Sequence, residues 1–459
     1  MTLTTLTRRA LLLLTTAWLS ACALKPADTL PPPIVFVHGN GDNASMWLTT
    51  VWRFESNGWP RDRLVALDMP YPLARDADDK PQAGRSSADE QMKFLADEVD
   101  RVLARTGASK VVLMGASRGG ITIRHYIAHG GGAAKVSHAV LGGTPNHGVW
   151  SNPKFLPNSE FNGAGPLLTR LNNQGGPGIE LTPGVKWMTI RSDSNDKYAQ
   201  PDGLWIGAKG TPTNVGFDGP ELKGAENVVI AGIDHRETAC GPLAFAAAYR
   251  FLTGRAPVVI AAAIESRVVL DGKVSGLGVD NKPGSGNAAN NLALAGATVE
   301  VYATDAASGE RFGPALHRKA IGADGLWGPL AVNSKTALEF VVSADGYATT
   351  HVYRAPFPRS STLVNLRAER IADADRDAPA MVALTRPRGY FGIPRDEIML
   401  DGKSPPAGIA PGVAGVSLVK ARLADAVPRS VAAAFNGERL VGRSWPTAGN
   451  HVVLLELND

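Results

Sequence analysis

Between residues 34 and 254 the chain alternates short apolar runs with stretches of helical spacing, and this alternation limits the fold more than any other feature. The runs are Ile34–Val37, Leu64–Leu67, Val111–Met114, His138–Leu141, Val185–Ile190 and Val228–Ala231. They are short, and they lack the strict in–out alternation of a half-exposed sheet, as expected of strands covered on both faces. The clearest helix lies between the second and third runs. Ser87-Ala88-Asp89-Glu90 has the spacing of a capping box, Met92, Leu95, Val99, Val102 and Leu103 form one apolar face, and Gly107 supplies a stop. Strands alternating with helices predict an α/β domain over residues 34–256, a mostly parallel sheet with helices on both sides.

The texture changes after Gly254-Arg255-Ala256-Pro257. Helical periodicity fades, and Asp271-Gly272, Asp324-Gly325, Asp345-Gly346, Asp401-Gly402 and Asn436-Gly437 supply turns. Between them lie strand-like stretches such as Ala297–Tyr302 and Leu338–Val342, with a Gly- and Asn-rich loop at 280–292. Residues 257–459 therefore read as β-rich, divisible into two β-sandwich modules at 257–370 and 371–459.

The first residues predict export. Arg8 and Arg9 precede a short apolar segment, residues 10–18, and then Leu19-Ser20-Ala21-Cys22. The apolar segment is too short to span a bilayer, and the small residues fit a peptidase site. The pattern resembles a bacterial lipobox, so residues 1–22 read as a lipoprotein signal peptide, Cys22 as the lipidated residue and 23–33 as a tether. An ordinary signal peptide cut nearby is the alternative, and Thr7-Arg8-Arg9 weakly resembles a twin-arginine signal. The expectation is an exported cell-envelope protein that touches the membrane through its lipid anchor. The only other cysteine is Cys240, which then has no partner for a disulfide. A formal charge of +4 without a dense Lys/Arg block argues against a nucleic-acid partner.

Gly115-Ala116-Ser117-Arg118-Gly119 falls at the end of the third apolar run and before a helical stretch, Gly120–Ile127. The pattern Gly-x-Ser-x-Gly alone is weak. At a strand–turn–helix junction it becomes a candidate nucleophile elbow, with Ser117 exposed at the sheet edge; a helix N-cap serine is the plainer reading. Among nine histidines, His235 is best placed as the base, because it ends the last strand and precedes the helix Leu243–Leu252. His147, in the Gly143–Gly148 loop, is the second choice. His125 and His129 share a helix face but lack a Glu between them and a third ligand, so no metal is expected. The acid should come from the loop after the fifth strand, where Asp193, Asp196 and Asp202 compete. Asp196 is favoured for its distance beyond the strand, and Asp202-Gly203 reads as a turn. The oxyanion would rest on two backbone amides, those of Asn40 in the His38–Gly41 loop and of Arg118. No cofactor is needed for acyl transfer by such a set.

These motifs, in this order, resemble the α/β hydrolases of the lipase type across residues 34–254. More narrowly, Phe54–Pro60, His235–Pro257 and Tyr353–Phe357 are similar to stretches of an archaeal long-chain lipase with a β-rich, lipid-binding C-terminal domain. One departure matters. That lipase takes its acid from the loop after the strand matching His138–Leu141, where this chain has Gly142-Gly143, so the resemblance leaves the acid to the Asp193–Asp196 loop. The His38–Asn43 loop also resembles that of an extracellular polyhydroxyalkanoate depolymerase, and residues 297–347 resemble a transthyretin-like or carboxypeptidase-regulatory-type sandwich. The resemblance implies a serine hydrolase of hydrophobic esters, with a polyester depolymerase or a non-enzymatic binding lipoprotein as alternatives. Residues 149–182, which carry Trp150, Phe155, Leu156, Phe161, Leu167, Leu168 and Leu171, read either as a lid or acyl-binding wall or as a packed surface helix.

Overall fold

The computed structural model describes residues 30–459. The expected signal segment, Cys22 and most of the tether lie outside the described residues. No helix among the described residues is long and apolar enough to cross a membrane.

The first half is built on a six-stranded, all-parallel sheet in the order β2-β1-β3-β4-β5-β6, comprising β1 Ile34–Val37, β2 Leu64–Ala66, β3 Val111–Ala116, β4 Val136–Gly142, β5 Lys186–Ser192 and β6 Glu226–Ile230. Helices α1 Leu48–Ser56, α2 Ala88–Thr106, α3 Arg118–His129 and α4 Pro166–Leu171 lie between the strands, and α5 Glu237–Cys240 and α6 Pro242–Thr253 follow the last of them. Alternate residues of the central strands face opposite layers. Phe36, Val112 and Met114 pack with Phe54 and Phe245 on one side. Val35, Val37 and Leu113 pack with Leu95, Val99 and Tyr126 on the other. Two apolar layers explain why the strands read as continuous apolar runs. The capping box forms as spaced: Ser87 Oγ accepts from the Glu90 amide, Glu90 reaches back to the Ser87 amide, and Gly107 ends α2 at φ 64°.

Of the two readings for residues 149–182, the packed helix describes α4. Leu167, Leu168 and Leu171 are buried against Ala88 and Ile121. The segment is also held by polar bonds, since the buried Arg124 guanidinium donates to the carbonyl oxygens of Asn146, Leu171 and Glu180.

The C-terminal half is all β, but it does not fall into two separate sandwiches. One seven-stranded sheet runs across the expected boundary at residue 371. Strand His451–Glu456 lies between Thr349–Arg354 and Ala380–Thr385, parallel to both, and so joins the two expected modules. Each still has its own apolar core, one centred on Trp327, Phe340 and Phe357 and the other on Phe391, Phe435 and Leu455. The first core takes in Leu48 and Trp52 of α1, and Trp52 Nε1 donates to the Ser360 carbonyl at 3.0 Å. The β-rich half is thereby packed onto the α/β half.

Candidate active site

The site starts from a crowded crossing. A Cβ on Gly119 would lie 2.3 Å from the Val37 carbonyl oxygen, and one on Gly120 would lie 1.8 Å from Thr144 Oγ1. Only glycine lets α3 come this close to the ends of β1 and β4. Between β3 and α3, Ser117 adopts φ 52° and ψ −117°, a strained conformation for a residue with a side chain. Its amide donates to the Gly142 carbonyl at 2.8 Å, while its hydroxyl makes no capping bond to α3. Ser117 stands at the N-cap position without doing a cap's work.

The loop after β1 lies against this turn. A Cβ on Gly39 would sit 3.4 Å from the Ser117 Cβ. The loop is braced from the side: Met69 N donates to buried His38 Nε2 at 3.1 Å, Ala74 N to Asn40 Oδ1 at 2.7 Å, and Gly41 N to the Pro72 carbonyl at 3.1 Å. Neither the Asn40 amide nor the Arg118 amide has an acceptor among the described residues. The Arg118 amide thus follows the strained serine directly, and the Asn40 amide belongs to the loop that packs against it.

On the loops after β5 and β6, Asp196 and His235 meet. His235 Nδ1 lies 2.8 and 2.9 Å from the two Asp196 oxygens, and both side chains are buried. An ionised carboxylate only accepts, so Nδ1 carries the proton and Nε2 is left as the basic nitrogen. Nε2 is buried and has no partner among the described residues. The Tyr198 ring packs edge-on against His235 at 4.6 Å, and the Tyr198 amide donates to Asp196 Oδ1 at 2.9 Å.

The competing residues have other tasks. Asp193 accepts from the Gly232 amide at 3.1 Å and the Ser192 hydroxyl at 3.2 Å. Burial is the largest single influence and opposes its charge, but these donors, with the Asn195 and Ser194 amides, together hold its carboxyl below the ordinary value. Asp202 accepts from the Leu204 amide at 3.1 Å, closing a turn. His147 Nε2 lies 3.2 Å from Glu180, and its residue lines a cavity together with His235, Val149, Val215, Phe217 and Leu222. His125 Nε2 lies 2.8 Å from Asp89 and its ring packs on His129, and no metal-holding cluster occurs among the described residues. Burial raises the Cys240 thiol to about 12, which leaves it inert at neutral pH.

Several residues at the site carried no clear sequence signal. The Arg118 side chain is buried and paired with Glu160, and it donates to the Pro72 carbonyl and to Ser86. Residues 72–86 and the segment around 160 are thus tied to the residue after the serine. Asp234, fully buried beside His235, is met by Arg386 at 2.9 Å and Arg395 at 3.3 Å, both from the β-rich half. Burial raises the Asp234 carboxyl, and Glu237 adds to this; the two arginines oppose it. The loop carrying Asp196 is held from the same half, as Lys197 donates to the Gly415 carbonyl at 2.9 Å and the Ala414 amide to Asn195 Oδ1 at 3.2 Å. Ion pairs this far apart in sequence leave no local pattern.

Comparison with known proteins agrees with the fold. Residues 32–171 match the model of the alpha/beta hydrolase fold, and residues 266–371 match that of the lipase C-terminal domain. Among solved structures, the chain is similar to the mature form of lipase BlEst2 from Bacillus licheniformis, at 20% identity over 50% of this chain and 94% of that one, with a TM-score of 0.35. Lipase B of Aspergillus fumigatus matches at 17% identity over 50% of this chain and 54% of that one, also with a TM-score of 0.35. The propeptide form of BlEst2 matches at 18% identity over 92% of this chain and 94% of that one, with a TM-score of 0.35. The first half has the α/β-hydrolase fold, and the β-rich sheets that follow contain the match to the lipase C-terminal domain.

Proposed function

We propose that this α/β hydrolase is a serine carboxylester hydrolase acting on hydrophobic esters. The reading is carried by one observation: the parallel sheet that ends β3 in a serine held in a strained turn also carries, on the loops after β5 and β6, a buried carboxylate–imidazole pair, Asp196 with His235.

His235 Nε2 takes the proton of the Ser117 hydroxyl as its oxygen attacks the ester carbonyl. Asp196 fixes the imidazole tautomer and stabilises the imidazolium that forms. The Asn40 and Arg118 amides receive the oxyanion. The tetrahedral intermediate collapses, the alcohol leaves with the proton from His235, and an acyl-serine remains. His235 then takes a proton from water, and the hydroxide equivalent releases the acid and restores Ser117. The apolar wall beside His235, with Val149, Val215 and Phe217, supports a hydrophobic limb on the substrate. We also propose that the chain is exported and anchored by a lipid on Cys22, which would hold the site near insoluble substrates.

The test is hydrolysis of p-nitrophenyl esters of increasing acyl length by the protein and by Ser117→Ala. Loss of roughly four orders of magnitude in kcat in the variant, with wild-type turnover of medium or long chains, is the expected result. Equal rates in the two proteins, or no turnover of any ester, would overturn the reading.

A further inference from the structure

A second cavity, of about 370 Å³, lies between the loop after β1 and the β-rich half. Gly41 and Arg236, the residues after Asn40 and His235, line it, but Ser117 and His235 do not. Asp42 and Arg236 form an ion pair in its wall. That wall touches the catalytic loop, since a Cβ on Gly39 would lie 3.0 Å from Asp42 Oδ2 and 3.4 Å from the Ser117 Cβ.

The strand register explains the cavity's apolar side. Val352 pairs with Leu454, Leu454 with Ala383, and Ala383 with Lys420, so four adjacent strands align these side chains across one face of the sheet. All four line the cavity. The intervening residues Tyr353, Leu455 and Leu384 belong to the core on the opposite face. The result is an apolar strip that ends in a cation.

Most charges of the cavity are satisfied, and Arg367 is the cation left without any partner among the described residues. Arg236 pairs with Asp42, Lys420 with Asp375 at 2.5 Å, and Glu456 with Arg354 at 2.7 Å. Arg370 spends its donors on the carbonyl oxygens of Gly346, Gly286 and Lys282 and on Asn287 Oδ1. Arg367 also lines the cavity, and its guanidinium makes no hydrogen bond or ion pair among the described residues; Nε and Nη2 are buried and unsatisfied. Thr385 Oγ1, on the same wall, is a second buried orphan. The nearby Glu369 does not reach Arg367 as an ion pair; burial pushes its carboxyl up, and Arg367 and Lys420 pull it down. Guanidinium nitrogens buried without acceptors are costly, and a planar carboxylate satisfies two of them at once.

We propose that this cavity binds a long-chain carboxylate, with its head group on Arg367 and its tail on the Val352–Leu454–Ala383 strip. Its identification with the acid released at Ser117 rests on the hydrolase reading; the site itself does not. A product held here would leave the acyl-serine pocket while staying on the protein.

Calorimetric titration of decanoate into the Ser117→Ala protein tests the proposal without turnover. Decyl maltoside serves as a neutral match for the tail and acetate as a match for the head. One decanoate per chain is expected, weakened at least about tenfold by Arg367→Met and less by Arg367→Lys. Ala383→Phe, which fills the strip and leaves Arg367 alone, should weaken decanoate to a similar degree. Unchanged affinity in both Arg367→Met and Ala383→Phe would overturn the proposal. So would no decanoate binding, or binding of acetate or decyl maltoside as tight as that of decanoate. Decanoate binding by a protein that hydrolyses no ester would sink the hydrolase reading and keep this one. Hydrolysis without decanoate binding would do the reverse.

Discussion

Asp196 and His235, 39 positions apart in the chain, face each other at 2.8 Å, while Asp193, three residues earlier, is turned to the Gly232 amide. This arrangement separates two carboxylates that the sequence leaves in competition. Asp196→Asn should keep the fold and lower kcat by roughly two to four orders of magnitude, because an amide at this position favours the wrong imidazole tautomer. Asp193→Asn keeps an oxygen for the Gly232 amide and should leave kcat within about threefold, its effect confined to the stability of the loop. Steady-state kinetics of both variants decides the assignment, and the opposite ranking would move the acid to Asp193.

The clamp between Asp234 and the arginines of the β-rich half makes a different prediction. Removing Arg386 leaves a fully buried carboxylate with Arg395 at 3.3 Å as its one paired cation, beside the amides of Tyr390, Arg236 and Glu237. Arg386→Met should therefore destabilise the protein by about 3 kcal/mol, the order found when one partner of a buried pair is lost. Asp234→Asn combined with Arg386→Met should cost clearly less than the two single changes added together. Urea unfolding of the four proteins gives the coupling. Simple additivity would mean that the two halves are not held together through this pair.

What could be read from the sequence and what could not divide along sequence distance. Ser117 was legible because a strand, a turn with flanking glycines and a helix are consecutive, and each leaves a local pattern. The Ser87–Glu90 capping box was legible for the same reason. Asp196 was less certain, since loop geometry and not spacing decides between two aspartates three residues apart. Arg386 was invisible as a partner of Asp234, 152 positions away, because charge in a β-rich stretch looks like any solvated face. The insertion of strand His451–Glu456 between two earlier strands was equally hidden. Strand composition gives an element's type and facing, but its neighbours are chosen by burial in the finished sheet, and so the expected split into two sandwiches missed the shared sheet.

The elbow glycines make a paired prediction. Gly119→Ala sets a Cβ against the Val37 and His38 carbonyl oxygens, which are backbone and cannot give way. It should yield little folded protein. Gly120→Ala meets side-chain atoms of Thr144 instead, so Thr144→Gly in the same chain should restore soluble protein and part of the activity. Soluble yield and thermal melting of the two single variants and the Gly120→Ala/Thr144→Gly pair check this. Rescue of Gly119→Ala by the same second change would show that the crowding lies elsewhere.

Lys197 gives the loop of the acid a dependence on pH. Its ammonium is buried, lies 3.8 Å from the centre of the Tyr390 ring and donates to the Gly415 carbonyl at 2.9 Å. Burial, helped by the like charge of Arg236, lowers its pKa from the ordinary 10.5 to about 8, against the opposing pull of Asp42, Asp196 and Asp234. Between those two values the unfolded chain holds a proton that the folded chain has released. Stability contributed by this residue must then rise with pH across the window, since the unfolded state binds more protons there. Below pH 8 both states carry the charge and the contribution is flat. The free energy of urea unfolding, compared between the protein and Lys197→Met, should accordingly shift in favour of the lysine form as pH climbs from about 8 towards 10.5. Taking the difference between the two proteins removes the other titrating groups from the comparison. A difference that stayed level or fell over this range would mean that Lys197 keeps an ordinary lysine pKa, with its charge fully compensated by Tyr390 and the three acids.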